Sequence, residues 1–188
     1  MADPHSKPGL TLVSTPIGNL GDISLRAIEA LRSADKILCE DTRVSKKLLE
    51  KHGIVSRLSN YHEHNAKLVR PKIIDGLKAG AKIVLISDAG TPSISDPGYQ
   101  LVKACIKNNL KISTVPGPTA LIAALTISGL PTDSFYFGGF LPNKRNARRK
   151  KLLEQKELET TLIFYDSAKR LLDSLKDANY CLGERPAA

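Results

Sequence analysis

Three groups of residues near the middle of this chain have types and spacing that suit chemistry. Glu40-Asp41-Thr42-Arg43 places two carboxylates and a guanidinium within four positions. A carboxylate there could orient or deprotonate a hydroxyl, and Arg43 could hold a phosphate with paired hydrogen bonds. The plainer alternative is an acid pair at a helix start beside a solvated arginine. Residues 87–98 read SDAGTPSISDPG. Strand-to-helix connections usually run about 2–6 residues, and longer bare ones are usually functional. Gly90 opens backbone angles closed to other residues and leaves room for a ligand against the main chain. Asp88 and Asp96 read as caps of their own loop. His62 and His64 alternate, so in an extended segment they face the same way. No third ligand stands at metal-site spacing, so no metal is expected.

These residues need elements to position them. Residues 83–86, all branched and apolar, read as a buried strand, which delivers the chain into the 87–98 loop. Tyr99, Leu101, Val102, Cys105 and Ile106 then start a helix. Residues 10–14 and 36–40 read as two earlier strands and 111–115 as a later one. Thr42 is placed to cap the helix that follows the second strand. Further helices are expected from the spacing of Ile23, Ala27, Ile28 and Leu31, and over 66–79 and 121–127. The repeated order of strand, glycine or proline turn and helix predicts a parallel α/β sheet. The turns at 16–21, 88–98 and 116–120 then share the carboxyl edge of that sheet, where ligands bind. None of them matches GxGxxG or a phosphate loop ending in GK[ST], which counts against dinucleotides and nucleoside triphosphates.

The pattern changes after Gly129. Residues 135–140 (FYFGGF) and 160–165 (TTLIFY) read as strands of a different sheet, and 168–175 as a helix. The expected organisation is a flexible tail at 1–9, an N-terminal α/β domain at 10–117 and a second, mixed α/β domain at 118–188. Two clear strands are too few for a stable sheet, so the second domain reads as incomplete.

The composition points to a polyanionic partner. Lysine and arginine number 28 against 19 aspartate and glutamate, a formal charge of +9. Nucleic acid ranks first and an anionic membrane second. Lys144, Arg145, Arg148, Arg149, Lys150 and Lys151 put six cations in eight residues with no acid among them, just after an aromatic stretch. Phosphate contact with RNA is the expected role of Lys144, Arg145, Arg148, Arg149 and Lys150. His62 and His64 read as RNA contacts or as a local polar network. No stretch reaches the ~18 apolar residues of a membrane helix. Three widely spaced cysteines predict reduced thiols in a cytoplasmic protein.

Five ordered motifs carry a specific resemblance. They are residues 15–23, Glu40-Asp41-Thr42-Arg43, Tyr61-His62-Glu63-His64-Asn65, residues 87–98 and residues 116–121. Together they resemble the bacterial 16S ribosomal RNA cytidine 2′-O-methyltransferases of the tetrapyrrole methylase superfamily, from Leu10 onward. The resemblance implies two α/β domains, S-adenosylmethionine as cofactor, and a small-subunit ribosomal RNA ribose as acceptor. It also implies a homodimer, and relatives that run on past Ala188. By the family pattern the cofactor contacts fall on Pro16, Ala89, Gly90, Thr91, Ile94, Thr119 and Ala120. Small residues at 89 and 90 suit a close main-chain approach, and Thr119 stands at a helix start, where free N–H groups favour a carboxylate. Asp41 and Arg43 are then expected to act on the acceptor, one on the ribose hydroxyl and the other on a phosphate. A tetrapyrrole or other small-molecule methylase and a non-catalytic RNA-binding fragment are the alternatives. The basic charge favours RNA over a tetrapyrrole.

Overall fold

The computed structural model describes residues 8–95 and 98–188. Asp96 lies outside them, as does the expected tail except for Pro8 and Gly9. The chain divides into two compact units, Met1–Thr119 and Ala120–Ala188.

The first unit holds β1 (Gly9–Val13), α1 (Leu25–Arg32), β2 (Lys36–Cys39), α2 (Thr42–Lys51), β3 (Leu58–Asn60), α3 (Ala66–Lys78), β4 (Lys82–Ile86), α4 (Tyr99–Lys107) and β5 (Ile112–Val115). The strands form one sheet in the order β3-β2-β4-β1-β5. Every neighbouring pair is parallel, with Val13 opposite both Ile86 and Val115. Alternate strand residues point to opposite faces. Val13, Ile37, Val84 and Ile86 therefore pack with Leu31 and Leu48 of α1 and α2. Leu10, Leu38, Ile83 and Leu85 pack with Ile73 and Leu101 of α3 and α4. Burying each such side chain stabilises the fold by about 1.5–3 kcal/mol.

This layering positions the loops. β1 and β2 pass the chain to helices on one face, while β3 and β4 pass it to the other. Along the order β3-β2-β4-β1 neighbouring connections therefore leave the carboxyl edge in opposite directions. Divergent connections of this kind open crevices at that edge.

The second unit holds α5 (Ala120–Ile127), β6 (Phe135–Phe140), α6 (Arg145–Leu153), β7 (Thr161–Tyr165) and α7 (Leu171–Leu182). β6 and β7 form a separate two-stranded parallel sheet. Leu141, Leu152 and Cys181 make its small core.

Four local readings need correction. The strand Leu58–Asn60 was not expected, because three residues are too few to show alternation. The cap of α2 is Asp41, not Thr42: the Asp41 side chain accepts from the Arg43 N–H, and Thr42 is already helical. The helix expected over 168–175 is a 3-10 turn at Ala168–Arg170 followed by α7. Gly9, assigned to the tail, already opens β1.

Candidate active site

Three loops at the carboxyl edge of the first sheet are tied into one structure. Thr15 and Gly90 form an isolated antiparallel bridge. The Thr15 N–H donates to the Gly90 carbonyl at 2.9 Å, and the Gly90 N–H donates back at 3.1 Å. The buried Thr15 hydroxyl donates to the Ser87 carbonyl at 3.0 Å. Ser14 and Thr91 hydroxyls share a hydrogen bond of 3.0 Å. Thr91 also donates to the Pro118 carbonyl at 3.1 Å and pairs with the Thr119 hydroxyl at 2.6 Å. The connections after β1, β4 and β5 thus meet around Thr91.

Glycine is required twice in this knot. Gly90 has φ +86°, and a Cβ there would stand 3.3 Å from Ile17 Cγ2 and 3.6 Å from the Pro118 carbonyl oxygen. A Cβ on Gly117 would stand 2.9 Å from Ser14 Cβ. A side chain at either position would push two loops apart.

The expected cofactor residues fall on this structure as follows. Pro16 is buried beside the Thr15–Gly90 bridge, Gly90 and Thr91 are at its centre, and Ala89 is exposed next to them. Ile94 is 42% exposed on the same loop. Thr119 joins the knot through Thr91. Ala120 opens α5 in the second unit. There the neighbouring Leu121 N–H donates to the Tyr165 hydroxyl at 3.2 Å, so one helix-start donor is already engaged.

At the end of β2, Asp41 and Arg43 form one group. The Asp41 carboxylate accepts from the Arg43 N–H at 2.8 Å and from its guanidinium at 2.6 Å. These bonds hold the carboxyl at about 2. A carboxylate so acidic is a weak base at neutral pH, though it still orients a donor. The Asp41 N–H donates to Asp88 Oδ1 at 3.0 Å. Asp88 therefore caps the β2 connection rather than its own loop. That bond fastens the acid-arginine group to the loop carrying Ala89, Gly90 and Thr91.

His62 and His64 lie in a turn, not an extended segment, because Asn65 Oδ1 accepts the His62 N–H and folds the chain back. Their rings still meet edge to face, 6.0 Å apart. Among the described residues no group of three His, Cys, Asp or Glu is placed to hold a metal.

The basic run divides in two. Arg145, Arg148 and Arg149 converge on Asp177 of α7, at 3.2, 2.6 and 2.6 Å. Arg148 is 4% exposed and also donates to the carbonyls of Pro142 and Asn143. Its assignment to RNA is therefore corrected: no phosphate can reach it without unpacking α6 from α7. Arg149 lies over the Tyr180 ring at 4.1 Å, while Arg145 keeps much of its side chain in solvent. Lys144 and Lys150 are exposed. The sequence hid this arrangement because the acid sits 29 positions from Arg148, on another helix.

Burial works to raise the Asp177 carboxyl, but hydrogen bonds from Arg149, Arg148 and Arg145 outweigh it and hold the group at about 2. The value is depressed below the ordinary 3.8. The pairing therefore stabilises fully above the ordinary carboxylate range and is lost as pH falls toward about 2. Thermal melting followed by circular dichroism should drop between about pH 4 and about pH 2, and Asp177→Asn should flatten that drop. An Asp177→Asn protein whose melting falls as steeply as the parent's would place the acid sensitivity elsewhere.

Comparison with known proteins adds identity to this geometry. The sequence profile described as Tetrapyrrole (Corrin/Porphyrin) Methylases matches residues 9–188. A protein of Mesorhizobium japonicum named ribosomal RNA small subunit methyltransferase I is 52% identical over 97% of this chain. Proteins of that name from Halalkalibacterium halodurans and Thermotoga maritima are 50% and 44% identical. The chain spans 62% of the length of the first two and 79% of the third. Among solved structures, a cobalt precorrin-4 methyltransferase of cobalamin biosynthesis matches 96% of this chain and 78% of its own, with TM-score 0.67 at 17% identity. A uroporphyrin III C-methyltransferase from Thermus thermophilus matches 94% of this chain and 78% of its own, with TM-score 0.63 at 20% identity. Similarity at that level establishes the fold alone.

Proposed function

This chain belongs to the tetrapyrrole (corrin/porphyrin) methylase family, and from that premise we propose that its function is S-adenosylmethionine-dependent 2′-O-methylation of a cytidine ribose in 16S ribosomal RNA of the small subunit. The observation that carries this reading is 52% identity, over nearly the whole chain, to a protein named for small-subunit ribosomal RNA methylation. The five sequence motifs agree with it, and so does the charge of +9. The acceptor is the decoding region of the small ribosomal subunit. The working form is a homodimer, by family resemblance. The compartment is the cytoplasm, in keeping with three free cysteines. No helix among the described residues is long and apolar enough to cross a membrane.

The knot of loops fits the cofactor. Ala89 is exposed and carries only a methyl group, so a ligand can approach the turn there without meeting a bulky side chain. When bound, S-adenosylmethionine supplies an electrophilic methyl group on its sulfonium. The chain must then hold the acceptor oxygen in line with that methyl, about 3 Å away. Asp41 is the residue for this task. Its carboxylate accepts from the ribose hydroxyl and fixes its direction, and Arg43, with its side chain 88% exposed, holds an adjacent phosphate. Transfer of radiolabelled methyl groups to the small ribosomal subunit tests the reading.

RNA affinity on the second unit falls to the exposed lysines. Lys144→Ala combined with Lys150→Ala should lower the logarithmic salt slope of RNA binding by about 1.4–1.8, which is 0.7–0.9 for each lost phosphate contact. The melting temperature should not move. Arg148→Ala should do the reverse, destabilising the second unit by about 3 kcal/mol through loss of a buried ion-pair member. Filter binding across a salt series checks the first expectation, and thermal melting the second. An unchanged slope in the double lysine variant would show that those lysines are only a solvated face.

A further inference from the structure

The first unit contains a concavity that the cofactor reading leaves unused. It is a cleft of about 410 Å³ at the carboxyl edge of β2 and β3, lined by Glu40, Tyr61, Glu63, Arg70, Tyr99 and Gln100 among others. Its floor is rigid. Tyr61 is 1% exposed, and its hydroxyl accepts from Arg70 Nε at 3.4 Å. That contact engages Nε and leaves the two terminal nitrogens as donors. Glu40 is the last residue before the Asp41 cap, whose N–H is bonded to Asp88. The cleft therefore adjoins the loop that carries Ala89, Gly90 and Thr91. Tyr99 begins α4 and is 62% exposed at the cleft wall.

The chemistry of these groups is complementary to a nucleobase. A carboxylate accepts from N–H and a guanidinium donates to ring nitrogen or carbonyl oxygen, while an aromatic face stacks on the base plane. The volume exceeds that of one base, and a base turned out of an RNA stack is the usual target of such a pocket. We infer that this cleft receives the base of the acceptor nucleotide, with Glu40 accepting from its exocyclic amine, Arg70 donating to the neighbouring ring acceptor and Tyr99 covering its face. The inference rests on the RNA-methylation reading above and adds the residues that choose the base. Partial burial and the nearby Asp88 raise the Glu40 carboxyl, while the residue stays exposed where it lines the cleft. Cytosine presents an amine beside a ring acceptor. Uracil presents a carbonyl oxygen in the amine's place, which would face the Glu40 carboxylate.

The test uses two mononucleotides that differ at that position. Amide resonances of the ¹⁵N-labelled chain are followed during titration with cytidine 5′-monophosphate and with uridine 5′-monophosphate. Cytidine monophosphate should shift the Glu40, Arg70, Tyr99 and Gln100 signals saturably, and uridine monophosphate should bind at least about tenfold more weakly. Glu40→Gln should bring the two affinities within about threefold. Tyr99→Ala, at an exposed position, should weaken both by about tenfold while keeping the preference. Equal affinity for the two nucleotides, a preference that survives Glu40→Gln, or no saturable shift in the cleft would each overturn the inference. Calorimetric titration with S-adenosylmethionine on the same samples separates the two readings. Cofactor binding without a cleft response removes the base pocket and leaves the methyltransferase assignment in place. Loss of cofactor binding in the parent chain removes the assignment itself.

Discussion

Gly90→Val should abolish measurable S-adenosylmethionine binding, a loss of at least about a thousandfold. Gly90 has φ +86°, a conformation that a β-branched residue adopts only under strain. Its first side-chain carbon would also meet Ile17 Cγ2 at 3.3 Å, and valine adds two methyl groups beyond that carbon. The Thr15–Gly90 bridge would then open or tilt, moving the Ala89-Gly90-Thr91 main chain that the family pattern gives to the cofactor. Backbone strain alone would cost stability, so two variants are compared. Gly90→Ala has the φ penalty with less bulk and should lower the melting temperature while retaining part of the affinity. Gly90→Val should lose affinity altogether while the sheet stays folded, as judged by circular dichroism. Calorimetry showing parental affinity in a folded Gly90→Val protein would remove this loop from the cofactor site.

Asp41→Asn should reduce the rate of methyl transfer in a single turnover by about 10², the lower end of what a general base contributes. The carboxyl is held at about 2 by Arg43, so its strength as a proton acceptor is small. What it offers is direction, and the amide offers that less well. Asparagine remains a competent helix cap, so α2 should start where it does now and stability should change little. Affinity for the cofactor should be unchanged, because Asp41 lies outside the Thr15–Thr91 knot. The loss should therefore appear in the rate and not in cofactor binding. A folded Asp41→Asn protein with the parental rate would reduce Asp41 to a helix cap.

The parts of the fold legible in sequence are those set by local patterns. Residues 83–86 are branched and apolar between turn residues, and they form β4 as expected, parallel to its neighbours. Once the strands were read as parallel, the meeting of the loops after β1, β4 and β5 at one edge followed from chain direction alone. What local patterns do not encode is partnership across distance. Asp177 looks like an ordinary helix acid until α7 packs against α6, and only then are Arg148 and Arg149 drawn out of the solvated face. The cap of α2 was displaced by one residue because Asp41 and Thr42 both have side chains that can cap, and propensity cannot rank adjacent candidates. The roles of Glu40 and Asp41 do not separate in sequence for a related reason. They are adjacent carboxylates, and only the structure shows Asp41 bonded to Arg43 and Glu40 lining the cleft. β3 escaped because Leu58, Ser59 and Asn60 make neither an alternation nor an apolar run.

The position at which a transferred methyl group ends distinguishes a ribose acceptor from every other. Small ribosomal subunits lacking the modification are incubated with the protein and S-adenosylmethionine labelled in the methyl group, and the 16S RNA is then hydrolysed in alkali. A 2′-O-methyl ribose cannot form the cyclic phosphate through which alkali cleaves RNA. The label should be recovered in one alkali-resistant dinucleotide with a methylated cytidine ribose at its 5′ side. Label found on a nucleobase, or found only when a tetrapyrrole replaces the ribosomal subunit as acceptor, would rule out 2′-O-methylation of ribosomal RNA.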